Sequence, residues 1–111
     1  MKNLVTGLAL TLALFASPAF AQQHRCAGDA TERAHKLLAL HVGENDDRIS
    51  IDENVEQKPS LRNPGGGGRL DVLEVWGYIY KARYRMRFLY FPIDGNCVLM
   101  GQEIIEYADP T

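Results

Sequence analysis

Arginine alternates with tyrosine, methionine and phenylalanine in the segment RYRMRFLYF, which runs from Arg83 to Phe91. This period of two predicts a β-strand with two unlike faces, because successive side chains of a strand point to opposite sides of the sheet. One face is apolar and needs a second layer of structure to bury it: Tyr84, Met86, Phe88 and Tyr90. The segment therefore predicts a central strand of a two-layer domain, with arginines on the face that points away from the second layer.

Two further strand-like segments flank this one: LDVLEVWGYIY precedes it and CVLMGQEIIEY follows it. The Asp94-Gly95 pair is typical of a two-residue hairpin turn and joins the last two segments. Neither Gly nor Asn marks the turn between the first two, and we place that turn at Lys81-Ala82. The sequence thus predicts consecutive antiparallel strands over 70–80, 82–91 and 97–107.

The segment DATERAHKLLALHVG, residues 29–43, predicts one amphipathic helix. Asp29 and Glu32 have the spacing of a capping box, and Gly43 is a typical helix terminator. An apolar stripe recurs at helical spacing along the segment: Ala30, Ala34, Leu37, Leu38 and His41. This stripe gives the helix one face to bury against the sheet.

The connection between the helix and the long strands contains a further strand. Residues 48–57, RISIDENVEQ, alternate weakly and predict a short edge strand, because Pro59 follows them. The run RNPGGGGR, residues 62–69, predicts a flexible loop, since consecutive glycines leave the backbone unrestrained. The expected fold is α+β, with one N-terminal amphipathic helix packed on a four-stranded antiparallel meander sheet.

Residues 1–21 have the layout of a secretory signal peptide: a lysine, an apolar run, and small residues before a cleavage site after Ala21. A retained membrane anchor would need a longer apolar run. We therefore expect an exported bacterial protein, periplasmic or secreted, whose mature part, residues 22–111, is a single domain.

The mature part has two cysteines, Cys26 and Cys97, which we expect to form one disulfide bond in an oxidising compartment. A redox-active pair would instead have the spacing C-x-x-C. The predicted hairpin sets Cys97 opposite Pro92, on the same side of the sheet as Tyr90. A bond to Cys26 at the start of the helix requires that orientation, since bonded cysteines must lie close together.

The predicted register gives each arginine an aromatic partner across the sheet: Arg83 with Tyr80, Arg85 with Tyr78, and Arg87 with Trp76. The last strand adds Glu106 and Gln102 beside this row, or brings Glu103 to Arg87 if a β-bulge occurs at Gly101. These side chains form the candidate binding surface: Trp76, Tyr78, Tyr80, Arg83, Arg85 and Arg87.

The charge distribution limits the possible partners. The formal net charge is −2, and removal of Lys2 with the signal peptide would make it one unit more negative. Bases gather in residues 58–91, seven against two acids, whereas residues 29–57 carry eight acids and three bases. Nucleic acid is therefore not an expected partner, because sequence-independent affinity for phosphates requires an excess of Lys and Arg.

Several roles remain open for the Arg-aromatic face. Trp, Tyr and Arg are enriched where binding energy concentrates, which favours a protein partner in the cell envelope. The arginine row could instead hold an anionic polymer, or the arginines and aromatic rings could satisfy one another in a purely structural surface. The exposed edge strand also allows a homodimer. We expect a small exported non-enzymatic binding protein, inhibitor-like or envelope-associated.

Catalysis is not expected. His35 and His41 are six residues apart on the predicted helix and diverge, and the disulfide bond leaves no free cysteine. His41 with Glu44, Asp46 and Asp47 could bind a metal weakly, but a charged, solvated turn explains these residues better. We predict no enzymatic activity, no cofactor and no metal.

Overall fold

The computed structural model describes residues 23–43 and 47–107. In chain order they form helix α1 (Ala27–Val42) and strands β1 (Ser50–Ile51), β2 (Glu56–Arg62), β3 (Arg69–Ile79), β4 (Ala82–Ile93) and β5 (Asn96–Tyr107). In the single antiparallel sheet β1 and β2 lie one after the other along the same edge of β3, and β4 and β5 follow on its other side. The predicted α+β fold, a helix on an antiparallel sheet with one disulfide bond, is confirmed. The predicted signal peptide, residues 1–21, lies outside the described residues.

The sheet has five strands where the sequence predicted four, because the first predicted strand is divided. Between β1 and β2 the backbone N–H of Asn54 donates to Asp52 Oδ1 at 2.9 Å. Such a local bond offers the backbone an alternative to the sheet ladder. The second part, β2, continues beyond the predicted end through Pro59 to Arg62, with a register shift between Lys58 and Leu61. Proline is tolerated there because β2 is an edge strand.

The glycine-rich segment closes the hairpin between β2 and β3, in which Arg62 pairs with Arg69. Three of its glycines have a positive φ, between 73° and 89°, which other residues adopt at a cost. Asn63 holds the start of the loop, since its Oδ1 accepts a hydrogen bond from the N–H of Gly65 at 3.0 Å. These three glycines therefore supply the positive φ angles of the six-residue connection, residues 63–68.

Helix α1 begins two residues earlier than predicted, and the predicted capping box is wrong. The N-cap is Cys26, without a side-chain capping bond, and Asp29 lies in the first turn. The Asp29 carboxylate instead accepts hydrogen bonds from Arg33 Nε at 2.7 Å and from the Tyr90 hydroxyl at 2.8 Å. Burial alone would raise the pKa of Asp29, but these two hydrogen bonds and the nearby positive charge outweigh it and lower the pKa.

The helix ends as predicted, at Gly43 in the left-handed conformation, with φ of 87°. Its buried side chains lie at helical spacing: Ala27, Ala30, Ala34 and Leu38. At the end of the predicted stripe His41 is exposed, and its ring contacts the edge of Tyr84 at 5.7 Å between centroids. No helix within residues 23–43 and 47–107 is long and apolar enough to cross a membrane.

The core lies between α1 and one face of the sheet, as the alternation predicted. From β4 it takes the four predicted side chains, all at most 4% exposed: Tyr84, Met86, Phe88 and Tyr90. At Gly77 on β3 the core leaves no room for a side chain, since an added Cβ atom would lie 2.9 Å from the ends of Leu38 and Met86 and 3.1 Å from Ile51. The absence of a side chain at Gly77 therefore allows the helix to pack this close to the sheet.

The turn between β3 and β4 is at Tyr80-Lys81, not at Lys81-Ala82. Tyr80 adopts a positive φ of 53°, and Ile79 pairs with Ala82. All partners across this hairpin are therefore displaced by two residues from the predicted register. Because side chains alternate with a period of two, the displacement leaves the residues within β3 and β4 on their predicted faces, whereas Tyr80 moves into the turn.

The turn between β4 and β5 is at Asp94-Gly95, as predicted, and both residues have positive φ. The predicted pairs of Tyr90 with Leu99 and of Pro92 with Cys97 are confirmed. The register then shifts: Leu89 pairs with Gly101, and Met100 is left as the extra residue of a β-bulge. Beyond the bulge Glu103 pairs with Arg87, as expected for the bulged alternative.

The predicted disulfide bond joins Cys26 to Cys97, whose Cα atoms are 5.7 Å apart. A second contact ties the same end of the helix to the sheet. His24 Nδ1 accepts a hydrogen bond from the backbone N–H of Cys26 at 3.0 Å, and its Nε2 lies 2.9 Å from Asp71 Oδ2 on β3.

Removing the disulfide bond is expected to lower the free energy of unfolding by about 4 kcal/mol, because the bond closes a loop of 71 residues in the unfolded chain. The measurement is urea denaturation of the Cys26→Ser and Cys97→Ser double variant beside the oxidised protein. Reduction of the unmodified chain by dithiothreitol is the control and should give a loss of the same size. A loss below about 1 kcal/mol in both would contradict the expectation.

Candidate functional site

The outer face of the sheet, opposite α1, carries the three predicted arginines of β4. In the observed register Arg83 lies opposite Tyr78, Arg85 opposite Trp76, and Arg87 opposite Glu74. Two of the three arginines keep an aromatic partner, although a different one from that predicted. The third faces a carboxylate that the sequence analysis did not select.

Four of these side chains form a connected group, which we call the Arg-aromatic cluster: Trp76, Arg83, Arg85 and Tyr107. The rings of Trp76 and Tyr107 are 5.7 Å apart between centroids and inclined by 41°. The Arg83 guanidinium lies 5.7 Å from the Trp76 ring centre and 5.9 Å from that of Tyr107, and that of Arg85 lies 5.8 Å from Tyr107. These distances are within the range of cation–π attraction.

Tyr107 is not among the predicted site residues, because in the register without the bulge Glu106 lies opposite Arg83. With the bulge, β5 is displaced by one residue, which sets Tyr107 directly opposite Arg83. Glu106 consequently moves to the helix side, where it pairs with Tyr84. Burial, together with a hydrogen bond to Glu106, raises the pKa of Tyr84. The bulge therefore places the Tyr107 ring opposite Arg83, where Glu106 was predicted.

Three of the predicted site residues lie apart from the cluster contacts: Arg87, which is bonded to Glu74, and the two tyrosines Tyr78 and Tyr80. Tyr80 is in the β3–β4 turn and is 75% exposed, with the Arg48 guanidinium 4.1 Å above its ring. Arg48 also donates a hydrogen bond to the Tyr80 hydroxyl. Tyr78 remains on the outer face, 39% exposed, beside Arg83. The structure thus brings together Trp76, Arg83 and Arg85, keeps Tyr78 next to them, and separates Tyr80.

Glu74 is a buried carboxylate on the outer face that contacts side chains from three strands, and its own side chain is only 4% exposed. Its carboxylate accepts hydrogen bonds from Arg87 Nε at 2.8 Å and from Trp76 Nε1 at 3.2 Å. Lys58 Nζ on β2 lies 3.6 Å away. Burial alone would raise the pKa of Glu74, but the Arg87 hydrogen bond and the charges of Lys58 and Arg87 outweigh it and lower the pKa.

Arg85 has no comparable partner. Its Nε is buried, makes no hydrogen bond within the described residues, and lies 4.0 Å from the Glu74 oxygen that Arg87 occupies. An N–H group buried without an acceptor is destabilising. Arg85 is thus held against Tyr107 at some cost to the free energy of folding.

A groove of about 680 Å³ lies on the same face, next to the Glu74 contacts. Its floor is apolar and comes from all four long strands: Leu61, Val72, Leu89 and Gly101. Lys58, Arg87 and Glu103 are among the charged side chains that line it. The outer face therefore offers an aromatic cluster and an apolar groove, with the buried Glu74 between them.

Comparison with models of known protein families, with curated proteins and with solved structures gave no match to this chain. The function is accordingly argued from the geometry of the outer face.

Exchange of arginine for methionine at positions 85 and 87 is expected to have unequal effects, because the two side chains differ in their contact with Glu74. Arg87→Met removes the closest partner of a buried carboxylate and should lower the free energy of unfolding by about 3 kcal/mol. Arg85→Met removes an unsatisfied N–H and should change it by less than about 1 kcal/mol. Urea denaturation at neutral pH measures both, and equal losses would contradict the assigned role of Glu74.

The pH dependence of stability tests Glu74 directly. Because its pKa in the folded protein lies below the ordinary value of 4.5, its contribution is fully present above pH 4.5 and is lost as the pH falls through the lowered pKa. The difference in unfolding free energy between the native sequence and Glu74→Gln should therefore be constant at neutral pH and shrink below pH 4.5. Glu103→Gln, at an exposed position, is the control and should show a small difference. A pH-independent effect of Glu74→Gln would rule out the lowered pKa.

Proposed function

We propose that this chain is an exported, non-enzymatic binding protein that recognises a protein partner through the outer face of its sheet. The single observation that carries the proposal is the Arg-aromatic cluster, in which two aromatic rings and two guanidinium groups contact one another on a face that α1 leaves uncovered. Trp, Tyr and Arg are the residue types that contribute most often to binding energy at protein interfaces.

The position of the cluster favours recognition without large rearrangement. Its members lie on strands β3, β4 and β5, and Trp76 is further held by its hydrogen bond to Glu74. Aromatic side chains have few rotatable bonds, so ordering them on binding costs little conformational entropy. Tyr78 and Tyr107 are 39% and 36% exposed, which leaves ring surface for a partner.

The positive charge of Arg83 indicates which chemical groups a partner would place against the outer face. Arg83 is exposed and lies against aromatic rings, whereas the buried carboxylate on this face, that of Glu74, is engaged by Arg87. A protein that presents a carboxylate or backbone carbonyl groups at Arg83 would complete its hydrogen bonds. The expected partner surface is therefore apolar with at least one acidic side chain.

An anionic polymer along the three arginines is the second candidate. Alternate residues of a strand are about 6.8 Å apart, which suits a row of charges along β4. Glu74 bonded to Arg87 and Glu103 opposite Arg87 remove much of the positive potential at one end of that row. The polymer is therefore less favoured than a protein, and its binding would weaken steeply with salt. A surface in which rings and arginines only stabilise the sheet is the remaining alternative.

Export is part of the proposal. The Cys26–Cys97 disulfide bond is typical of proteins in an oxidising compartment, and residues 1–21 have the composition of a signal peptide. The partner would then be a protein of the periplasm or of the cell exterior.

The test is capture from a bacterial envelope extract by the immobilised mature protein with its disulfide bond intact, at low and at moderate salt. The proposal expects a specific protein to be captured at both salt concentrations. Trp76→Ala combined with Arg83→Ala should weaken its binding at least about a hundredfold, since hot-spot truncations commonly cost 2 kcal/mol or more.

A matched control is available on the exposed surface of α1, where Lys36→Ala with Leu40→Ala removes a similar pair of side chains far from the outer face. This variant should bind like the unmodified protein. Loss of capture in both variants, or in neither while both remain folded, would reject the outer face as the binding surface. Capture confined to low salt would favour the anionic polymer.

A further inference from the structure

The two edges of the sheet differ in how well they are protected. One edge is divided between β1, of two residues, and β2, of seven, which contains Pro59 and a register shift. The other is β5, a strand of twelve residues without proline, which pairs only with β4 among the described residues. A long unprotected edge exposes backbone N–H and C=O groups that another strand can bond.

The side chains of β5 are also unusually apolar for an edge. Four large apolar residues of β5 are at least 36% exposed: Val98, Met100, Ile105 and Tyr107. Lysine, a common protection of edge strands, is absent from β5, whose charged residues are Glu103 and Glu106. Strand β5 therefore combines unpaired backbone groups with apolar side chains.

Because of the bulge at Met100, corresponding apolar residues in the two halves of β5 point to the same face of the sheet. Without it, Val98 and Ile105 would point to opposite faces, because seven residues separate them. With it, both lie on the outer face, opposite Phe91 and Arg85 respectively. In the same way Leu99 and Ile104 both lie on the helix side, partly buried against the core.

We propose that two copies of this chain associate through β5, antiparallel, about a two-fold axis between Gly101 and Gln102. This register sets Val98 opposite Ile105 of the second copy and Leu99 opposite Ile104 of the second copy, each pair twice by symmetry. Residues 100–103 lie between Leu99 and Ile104 on each strand. Because both strands carry the same four residues and the same bulge there, the pairs on the two sides of the axis keep the same register. Glu103 faces Met100 and Glu106 faces Cys97, so no acid lies directly opposite another acid.

The dimer has a consequence for the outer face. A two-fold axis perpendicular to the joined sheets keeps both outer faces on the same side. The apolar groove is lined at one end by Gly101 and Glu103, next to the axis, so the grooves of the two copies meet there. The inference does not rest on the proposed function: the dimer is argued from β5 alone, whereas Trp76 lies on β3 and Arg83 on β4.

Sedimentation equilibrium of the mature oxidised protein tests the association. The expected result is a concentration-dependent mass that reaches twice the monomer mass. Ile105→Lys should raise the dissociation constant at least about tenfold, because it disrupts two symmetry-related pairs, and Val98→Lys should act alike. Leu61→Lys, at a 50% exposed position on β2, is the matched control and should leave the dimer unchanged. A monomer at all concentrations, or a dimer sensitive only to Leu61→Lys, would overturn the proposal.

Cross-linking tests the register. Val98→Cys and Ile105→Cys, prepared separately and mixed under oxidation, should form a disulfide-linked pair of chains, because the two positions face each other across the axis. Each variant alone should not cross-link. In its dimer the two introduced cysteines, one from each copy, are seven positions apart along the strands, or roughly 23 Å. Cross-linking of either variant alone, or none in the mixture, would contradict this register even if a dimer forms.

Discussion

The covalent bond between Cys26 and Cys97 connects the N-cap of α1 to the second residue of β5, and it is compatible with only one side of the sheet facing the helix. Cys97 lies across from Pro92 on the helix side of the sheet, so the bond forms only when the apolar side of β4 faces α1. His24 and Tyr90 strengthen the same corner through Asp71 and Asp29. The other face of β4 is thereby directed outward, which is why the arginines are available for contacts beyond the helix.

Alternation along β4 predicted the two layers and the four buried side chains of β4, and the Asp94-Gly95 turn predicted the side on which Cys97 lies. Alternation could not predict which residues face each other, because a slip of two residues preserves both faces. Asp94-Gly95 identified its hairpin turn correctly, whereas Tyr80-Lys81 has no glycine or asparagine to mark it. This single uncertainty displaced every aromatic partner of the arginines and left Glu74 unnoticed.

Hydrogen bonds of two aspartates explain two further differences between the predicted and the observed elements. Asp52 bonds to Asn54 and interrupts the first strand, and Asp29 bonds to Arg33 and Tyr90 instead of capping the helix. Both aspartates have the residue type of a capping or turn position, and only the surrounding structure determines which neighbour they bond. The candidate site depends on contacts of this kind, since Glu74 receives its partners from three different strands.

Gly77 shows how narrowly the two layers fit. The ends of Leu38, Ile51 and Met86 converge on the space that a side chain at this position would occupy. The four positions therefore share one fixed volume between helix and sheet. In homologous chains the sizes of these four residues should vary together, with a larger residue at position 77 accompanied by a smaller one at 38, 51 or 86, so that the separation of the layers stays the same.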